Sequence, residues 1–259
     1  GFIDSEIEAA KETGVRFHPT RGSMSLSRKD GGLPPDSVVQ SERKIIEDSV
    51  RVIEKYHDRR RNAMTRIALA PCSPFSVTGE SMIATAELAE KYDVLLHTHL
   101  AETKDEDDFC IQKKGLRPVD YMEKVGWLNR RAWFAHLVWL NEKDISKLVE
   151  NDCGMAHCPT SNMRLGSGIA PVKEMKAAGM RIGLAVDGSS SNDSGNMLLE
   201  IRNALMLQRV LKGADALSPR DVLEFATLGG AKVLRMDDFT GSIEKGKAAD
   251  IAAFRLDTL

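Results

Sequence analysis

The chain predicts an α/β protein built as a (β/α)8 TIM-type barrel, and three observations carry that prediction. Apolar runs of four to seven residues alternate with amphipathic helical patterns along nearly all of its 259 residues. Strands that alternate with helices through short connections pair in parallel, with right-handed crossovers. Five consecutive runs end in polar residues capable of chemistry, and a barrel gathers the C-terminal ends of its strands onto one rim. No Gly-x-Gly-x-x-Gly turn follows any strand, which counts against an open doubly wound sheet.

The elements follow in order. The chain opens on Gly1 in a polar, helix-like segment, and the first expected strand is 15–20. Residues 23–35, rich in Gly, Ser and Pro, are too irregular for either element and form a long loop covering one end of the sheet. A helical pattern over 38–57 leads to a strand at 66–70, and a second helix at 79–91 leads to a strand at 94–99. The charged stretch 104–108 reads as a solvated helix start. Then come helix 118–125, strand 132–136, helix 142–150, strand 154–157, helix 171–178 and strand 181–187. Helices near 194–211 and over 218–233 close the series. That makes six strand–helix units where a closed barrel has eight. With no initiator Met and a helix at the front, the first strands are expected upstream of Gly1. We divide the chain into an N-terminally incomplete barrel domain, 1–240, and the start of a small β return segment, 241–259, where turn glycines flank short alternating runs.

Composition narrows the function classes. Lys and Arg total 36 against 38 for Asp and Glu, a net charge of -2, with no basic footprint for nucleic acid or an anionic membrane. No apolar run reaches the eighteen or so residues of a membrane span, and no signal peptide is visible. The four cysteines lack Cys-x-x-Cys spacing and read as reduced thiols of a cytoplasmic protein.

The chemistry concentrates at the strand ends. In Leu95-Leu96-His97-Thr98-His99-Leu100-Ala101-Glu102 the two histidines share one face of a strand, and a carboxylate follows where the strand gives way. Neutral imidazole is a common zinc ligand, and a neighbouring free carboxylate can move protons to and from metal-bound water. The neighbouring ends carry Pro71-Cys72-Ser73-Pro74, Ala135-His136-Leu137, Ala156-His157-Cys158-Pro159 and Val186-Asp187-Gly188. Asp187 follows a buried apolar run, so its charge needs a partner or a metal. His97, deeper in the strand, reads as a packed residue behind His99, and His157 as a loop anchor.

These segments resemble the amidohydrolase superfamily in its cytosine/guanine deaminase-like branch. The resemblance rests on His97 to Thr103, Ala135-His136-Leu137, His157 to Asn162 with Leu165 and Gly168, Val186-Asp187-Gly188 with Ser191-Asn192-Asp193, and Gly241-Ser242-Ile243 with Gly246 to Asp250. Arg21 to Ser25, Gly31 to Asp36 and Ala70 to Phe75 look closest to the branch's 8-oxoguanine deaminases. The resemblance implies one zinc held by His99 and Asp187, Glu102 as proton shuttle, and His136 hydrogen-bonding the attacking hydroxide. It also implies a barrel of amidohydrolase type, a homo-oligomer, and a small heterocyclic substrate consumed with water. The reaction expected is hydrolytic deamination, with 8-oxoguanine to urate and ammonia as the leading case and a hydroxytriazine or a pterin as the alternatives.

Arg21, whose planar donor fork suits purine carbonyl oxygens, Cys72 and Asn162 are the expected substrate contacts. Adenosine-type members place a histidine where this chain has Cys72, which favours a free oxidised purine over a nucleoside. The family's first strand supplies a His-x-His ligand pair that this chain does not contain, so its zinc site is expected to be empty or poorly occupied. That keeps open a hypothesis of another class, a metal-free barrel fragment or binding module. The zinc deaminases that use His-x-Glu with Pro-Cys-x-x-Cys are excluded, because neither motif occurs.

Overall fold

Strand order decides the architecture. The computed structural model describes residues 2–255, and within them six strands form one parallel sheet in sequential order. They are β1 (Thr20–Ser23), β2 (Ala68–Pro71), β3 (Leu95–Leu100), β4 (Ala132–His136), β5 (Gly154–His157) and β6 (Arg181–Leu184). The order never reverses, so the sheet has no switch point of the doubly wound kind. With right-handed crossovers this places the helices on one face, as in the wall of a (β/α) barrel.

Those helices are α1 (Ile3–Thr13), α2 (Glu42–Tyr56), α3 (Gly79–Tyr92), α4 (Lys104–Lys114), α5 (Pro118–Lys124), α6 (Glu142–Glu150), α7 (Pro159–Arg164), α8 (Val172–Ala177) and α9 (Met197–Lys212). Last come α10 (Pro219–Glu224) and α11 (Gly230–Val233), joined by the π turn Phe225–Gly229. Their starts follow local chemistry. Thr78 accepts from the Ser81 N–H to cap α3, and reciprocal side-chain caps, Asn141 with Asp144 and Ser218 with Asp221, open α6 and α10.

The two-residue period of the strands separates core from site. In β3, Leu96, Thr98 and Leu100 are buried while His97 and His99 face the other way, partly exposed. Leu96 and Leu100 join Leu69, Phe134, Met155 and Ile182 in a core closed by Val52, Met82, Met122, Leu148 and Met175 from the helices. Each such buried side chain contributes roughly 1.5–3 kcal/mol, so register is pinned, and with it the face that carries the histidines.

Four expectations are corrected. The first strand lies at Thr20–Ser23 rather than 15–20: Phe17 makes an isolated bridge to Thr65, and Pro19 has no N–H to give a ladder. The last strand stops at Leu184, three residues short of Asp187. The single helix expected over 218–233 is broken by the π turn, because Gly229 packs under β6 so closely that a Cβ would collide with the Ile182 carbonyl oxygen. The expected β element is not formed over 241–255, since no strand among the described residues pairs with it; residues 256–259 lie outside the described residues. The segment instead returns to the sheet's first edge, where Asp250 accepts from Arg16 (2.6 Å) and Thr240 (3.0 Å).

Candidate active site

The ends of β3 and β4 and the loop after β6 turn sharply, and the turns aim the functional side chains. Ala101, His136, Leu137 and Asp187 have φ of 51°, 73°, 48° and 65°, left-handed values costly for any residue but glycine. Hydrogen bonds hold them there. Leu137 N–H donates to Leu100 O (3.1 Å), and Val138 and Trp139 N–H both donate to Ala101 O (2.9 Å each). The Glu106 carboxylate accepts from the N–H groups of Ala101 (2.8 Å) and Glu102 (2.9 Å) and so clamps the turn that presents Glu102. Burial pushes the Glu106 carboxyl up to about 7, while those two N–H groups favour its charged form.

His99, His136 and Asp187 converge. One ligand atom from each lies within 4.8 Å of the others. The ring nitrogens facing away from that point are both tied. His99 Nδ1 lies 2.6 Å from Cys72 O, which can only accept, so Nδ1 carries a proton and Nε2 is the ring nitrogen left to serve as a ligand. His136 Nδ1 lies 2.8 Å from Asn162 Oδ1, which leaves its Nε2 facing Glu102 Oε2 at 3.6 Å and Asp187 Oδ2 at 4.0 Å. Asp187 accepts from Ser161 Oγ (2.5 Å), Ser191 Oγ (3.1 Å) and Gly188 N–H (2.7 Å). Burial works to raise its pKa, but those donors and His136 hold it below the usual carboxylate value. Two imidazole nitrogens and a carboxylate oxygen, each oriented by a partner behind it, suit a zinc-type ion.

His97 is not among these donors. Its ring stacks on Trp133 at 4.8 Å with Nδ1 3.2 Å from Trp133 O, and burial lowers its pKa to about 3. His157 is buried, and neither of its ring nitrogens has a hydrogen-bond partner among the described residues.

A cavity of about 400 Å³ opens beside His99, lined by Thr20, Gly22, Ser23, Met24, Gln40, Cys72 and His97 among others. Cys72 is therefore where a substrate contact is expected. Arg21 and Asn162 are not: neither lines the cavity. Arg21 points toward α2, where its Nε donates to Asp48 (2.6 Å), its Nη2 to Gln40 Oε1 (3.0 Å) and its Nη1 to Gly22 O, so its fork is spent on the protein. Thr20 and Gly22 line the cavity, while Arg21 between them turns to Asp48 and Gln40. Asn162 is buried behind His136 and acts through that ring.

Sequence reasoning missed Gln40 and Glu106, and read Ser161 as a candidate substrate contact and Ser191 as part of a helix cap rather than as donors to Asp187. Only Glu106 left a signal: Thr103-x-x-Glu106 has capping-box spacing, and Thr103 does cap α4, but the carboxylate reaches past the cap to the turn.

Residues 2–259 match the model of the amidohydrolase family. The chain is 54% identical over 257 residues to 8-oxoguanine deaminase of Pseudomonas aeruginosa, covering 99% of this chain and 57% of that protein. It is 34% identical over 268 residues to an isoxanthopterin deaminase of an unknown prokaryotic organism, covering 97% of this chain and 55% of the relative. Among solved structures it superposes on atrazine chlorohydrolase TrzN from Arthrobacter aurescens TC1, complexed with zinc, with a TM-score of 0.92 at 35% identity, over 96% of this chain and 55% of that one. The chain thus spans just over half the length of each. No helix among the described residues is long and apolar enough to cross a membrane.

Proposed function

The chain belongs to the amidohydrolase family, and from that premise we propose that its site serves zinc-dependent hydrolytic deamination of an amino-substituted purine-like heterocycle, with 8-oxoguanine to urate and ammonia as the reaction. The observation that carries this reading is the convergence of His99, His136 and Asp187 within 4.8 Å, with Glu102 beside them. An 8-oxoguanine deaminase 54% identical to this chain over 257 residues supports that choice of substrate.

In this reading His99 and Asp187 hold the zinc, whose contribution is Lewis-acid activation of a water near neutral pH. His136, with its Nε2 between Glu102 and Asp187, orients that water. Water adds its oxygen to the ring carbon bearing the exocyclic amine; the carbon–nitrogen bond then breaks and ammonia leaves. Glu102 carries a proton from the water to the ring nitrogen and on to the departing amine. The left-handed turn at Ala101 and the Glu106 clamp fix where Glu102 can reach.

Cys72 and Gln40 are among the polar residues that line the cavity, and Arg21 acts by fixing Gln40. With Oε1 taken by Arg21, the Gln40 amide offers its NH2 as a donor to a substrate carbonyl. The pterin deaminase and the triazine hydrolase among the relatives support a second reading, the same chemistry on a pterin or hydroxytriazine. We assign residues 1–240 to the barrel and 241–259 to the return segment, and place the protein in the cytoplasm as a homo-oligomer acting on a small molecule. Incubating the zinc-loaded protein with 8-oxoguanine, isoxanthopterin and hydroxyatrazine and measuring amine release ranks these readings. No release from any of them rejects the enzyme reading in favour of a binding module.

A further inference from the structure

The opposite end of the sheet holds a second cavity, of about 420 Å³. Leu95, which opens β3, and Arg66 and Arg131, which precede β2 and β4, line it, so it lies at the N-terminal ends of the strands, away from Glu102 and Asp187. Its wall carries five arginines and one carboxylate, Asp93. Arg131 is paired to Asp93 and Arg235 to Asp152, so three of the five, Arg59, Arg66 and Arg130, have no carboxylate partner among the described residues.

Several donors here are also unspent. Arg66 lies over the Phe239 ring, 5.1 Å from its centroid; its Nη2 donates to Arg60 O and Arg61 O, and its Nε is sealed from solvent without an acceptor among the described residues. Both ring nitrogens of His18 are likewise sealed from solvent and lack a partner among the described residues, and as a neutral imidazole His18 has one N–H to donate. Ile67 N–H donates to His57 Nδ1 (3.0 Å), which puts the His57 proton on Nε2, a donor. The Arg130 side chain makes no hydrogen bond among the described residues, while its carbonyl accepts from Arg235 (2.8 Å). Buried donors without acceptors are costly, and uncompensated like charges repel one another. Both penalties are relieved by one kind of ligand.

We propose that this cavity binds a phosphate-class oxyanion, either free phosphate or the phosphate group of a phosphorylated small molecule, through Arg66, Arg130, His18 and His57. With five arginines against Asp93 the cavity wall carries an excess of positive charge, and phosphate oxygens accept from several directions at once. The site is independent of the deamination chemistry, since none of its residues lies in that constellation.

Titration calorimetry on the metal-free chain at constant ionic strength tests this, with inorganic phosphate, glycerol 3-phosphate and sodium chloride as probes. Saturable one-to-one binding of a phosphate probe, absent with chloride, is expected. Arg130→Gln, at an exposed position that does not threaten the fold, weakens it by about tenfold, as does His18→Asn, while Arg43→Gln, an exposed residue of α2 that does not line the cavity, leaves it unchanged. Tighter binding of glycerol 3-phosphate identifies a phosphorylated metabolite as the ligand, and equal or weaker binding identifies the free ion. No saturable binding, or binding that is the same in Arg130→Gln and the unmodified chain, overturns the proposal.

Discussion

His99 stacks on His136, ring centroids 5.4 Å apart and planes inclined by 22°, and each ring is fixed through Nδ1 by an oxygen that leaves Nε2 turned toward Asp187. The pair comes from adjacent strands whose registered partners are His99↔Ala135 and Leu100↔His136. The left-handed turn at His136 is what brings the second ring level with the first. Removing the oxygen behind His136 should therefore disturb chemistry before it disturbs the fold. Asn162→Leu is expected to lower kcat by about 10- to 100-fold with zinc content retained. Unchanged kcat would separate Asn162 from the site.

Glu106 gives a second handle. Glu106→Gln keeps the volume but can accept through only one oxygen, so one of the two N–H groups at Ala101 and Glu102 loses its acceptor. We expect roughly 1–3 kcal/mol of lost stability by urea denaturation, together with a fall in kcat larger than any change in KM. A loss of stability with kcat intact would make Glu106 a structural residue only.

Arg21→Met tests the altered role of that side chain. If Arg21 serves by fixing Gln40, its loss frees the Gln40 amide to rotate and raises KM for an oxidised purine by about tenfold, while kcat falls far less. Gln40→Ala should reproduce the effect, and the double variant should add little to it. Additive losses would mean that Arg21 reaches the substrate by another route.

Acid stability follows from the buried imidazoles. Burial, with help from Arg66, lowers the pKa of His18 to about 3, and burial lowers that of His157 to about 3, from 6.5 in the unfolded chain. A folded-state pKa below the unfolded value means that the unfolded chain binds more protons between those limits. The stabilisation is full above about pH 6.5 and is lost progressively toward about pH 3, at ~1.4 kcal/mol per pH unit for each histidine. Urea midpoints should fall between about pH 7 and pH 5, and His157→Gln should flatten that slope. An equal slope in the variant would show that His157 titrates normally in the folded protein.

The sequence disclosed the parts that depend on periodicity. Alternation put His97 and His99 on one face, and β4, β5 and α6 lie where the apolar pattern placed them, at Ala132–His136, Gly154–His157 and Glu142–Glu150. It also foretold that His99, His136 and Asp187 would share one rim. Illegible were contacts made by residues far apart in the chain, such as Arg21 with Asp48 and Gln40, which depend on how α2 lies against β1. The first strand was misplaced by several residues, and that shift turned Arg21 away from the cavity it was expected to line. The π turn was hidden for a similar reason: its cause is the close approach of Gly229 to β6, which helical periodicity does not report.

The central claim is that the Glu102, His136 and Asp187 constellation removes an amine from an oxidised purine with the help of one zinc. The most direct measurement is ammonia and urate formed from 8-oxoguanine by the zinc-loaded protein, run beside Glu102→Gln and Asp187→Ala. The account predicts equal amounts of ammonia and urate, loss of turnover in Glu102→Gln with zinc content preserved, and loss of both in Asp187→Ala. Full turnover in Glu102→Gln, or no ammonia from 8-oxoguanine with zinc bound, would contradict it.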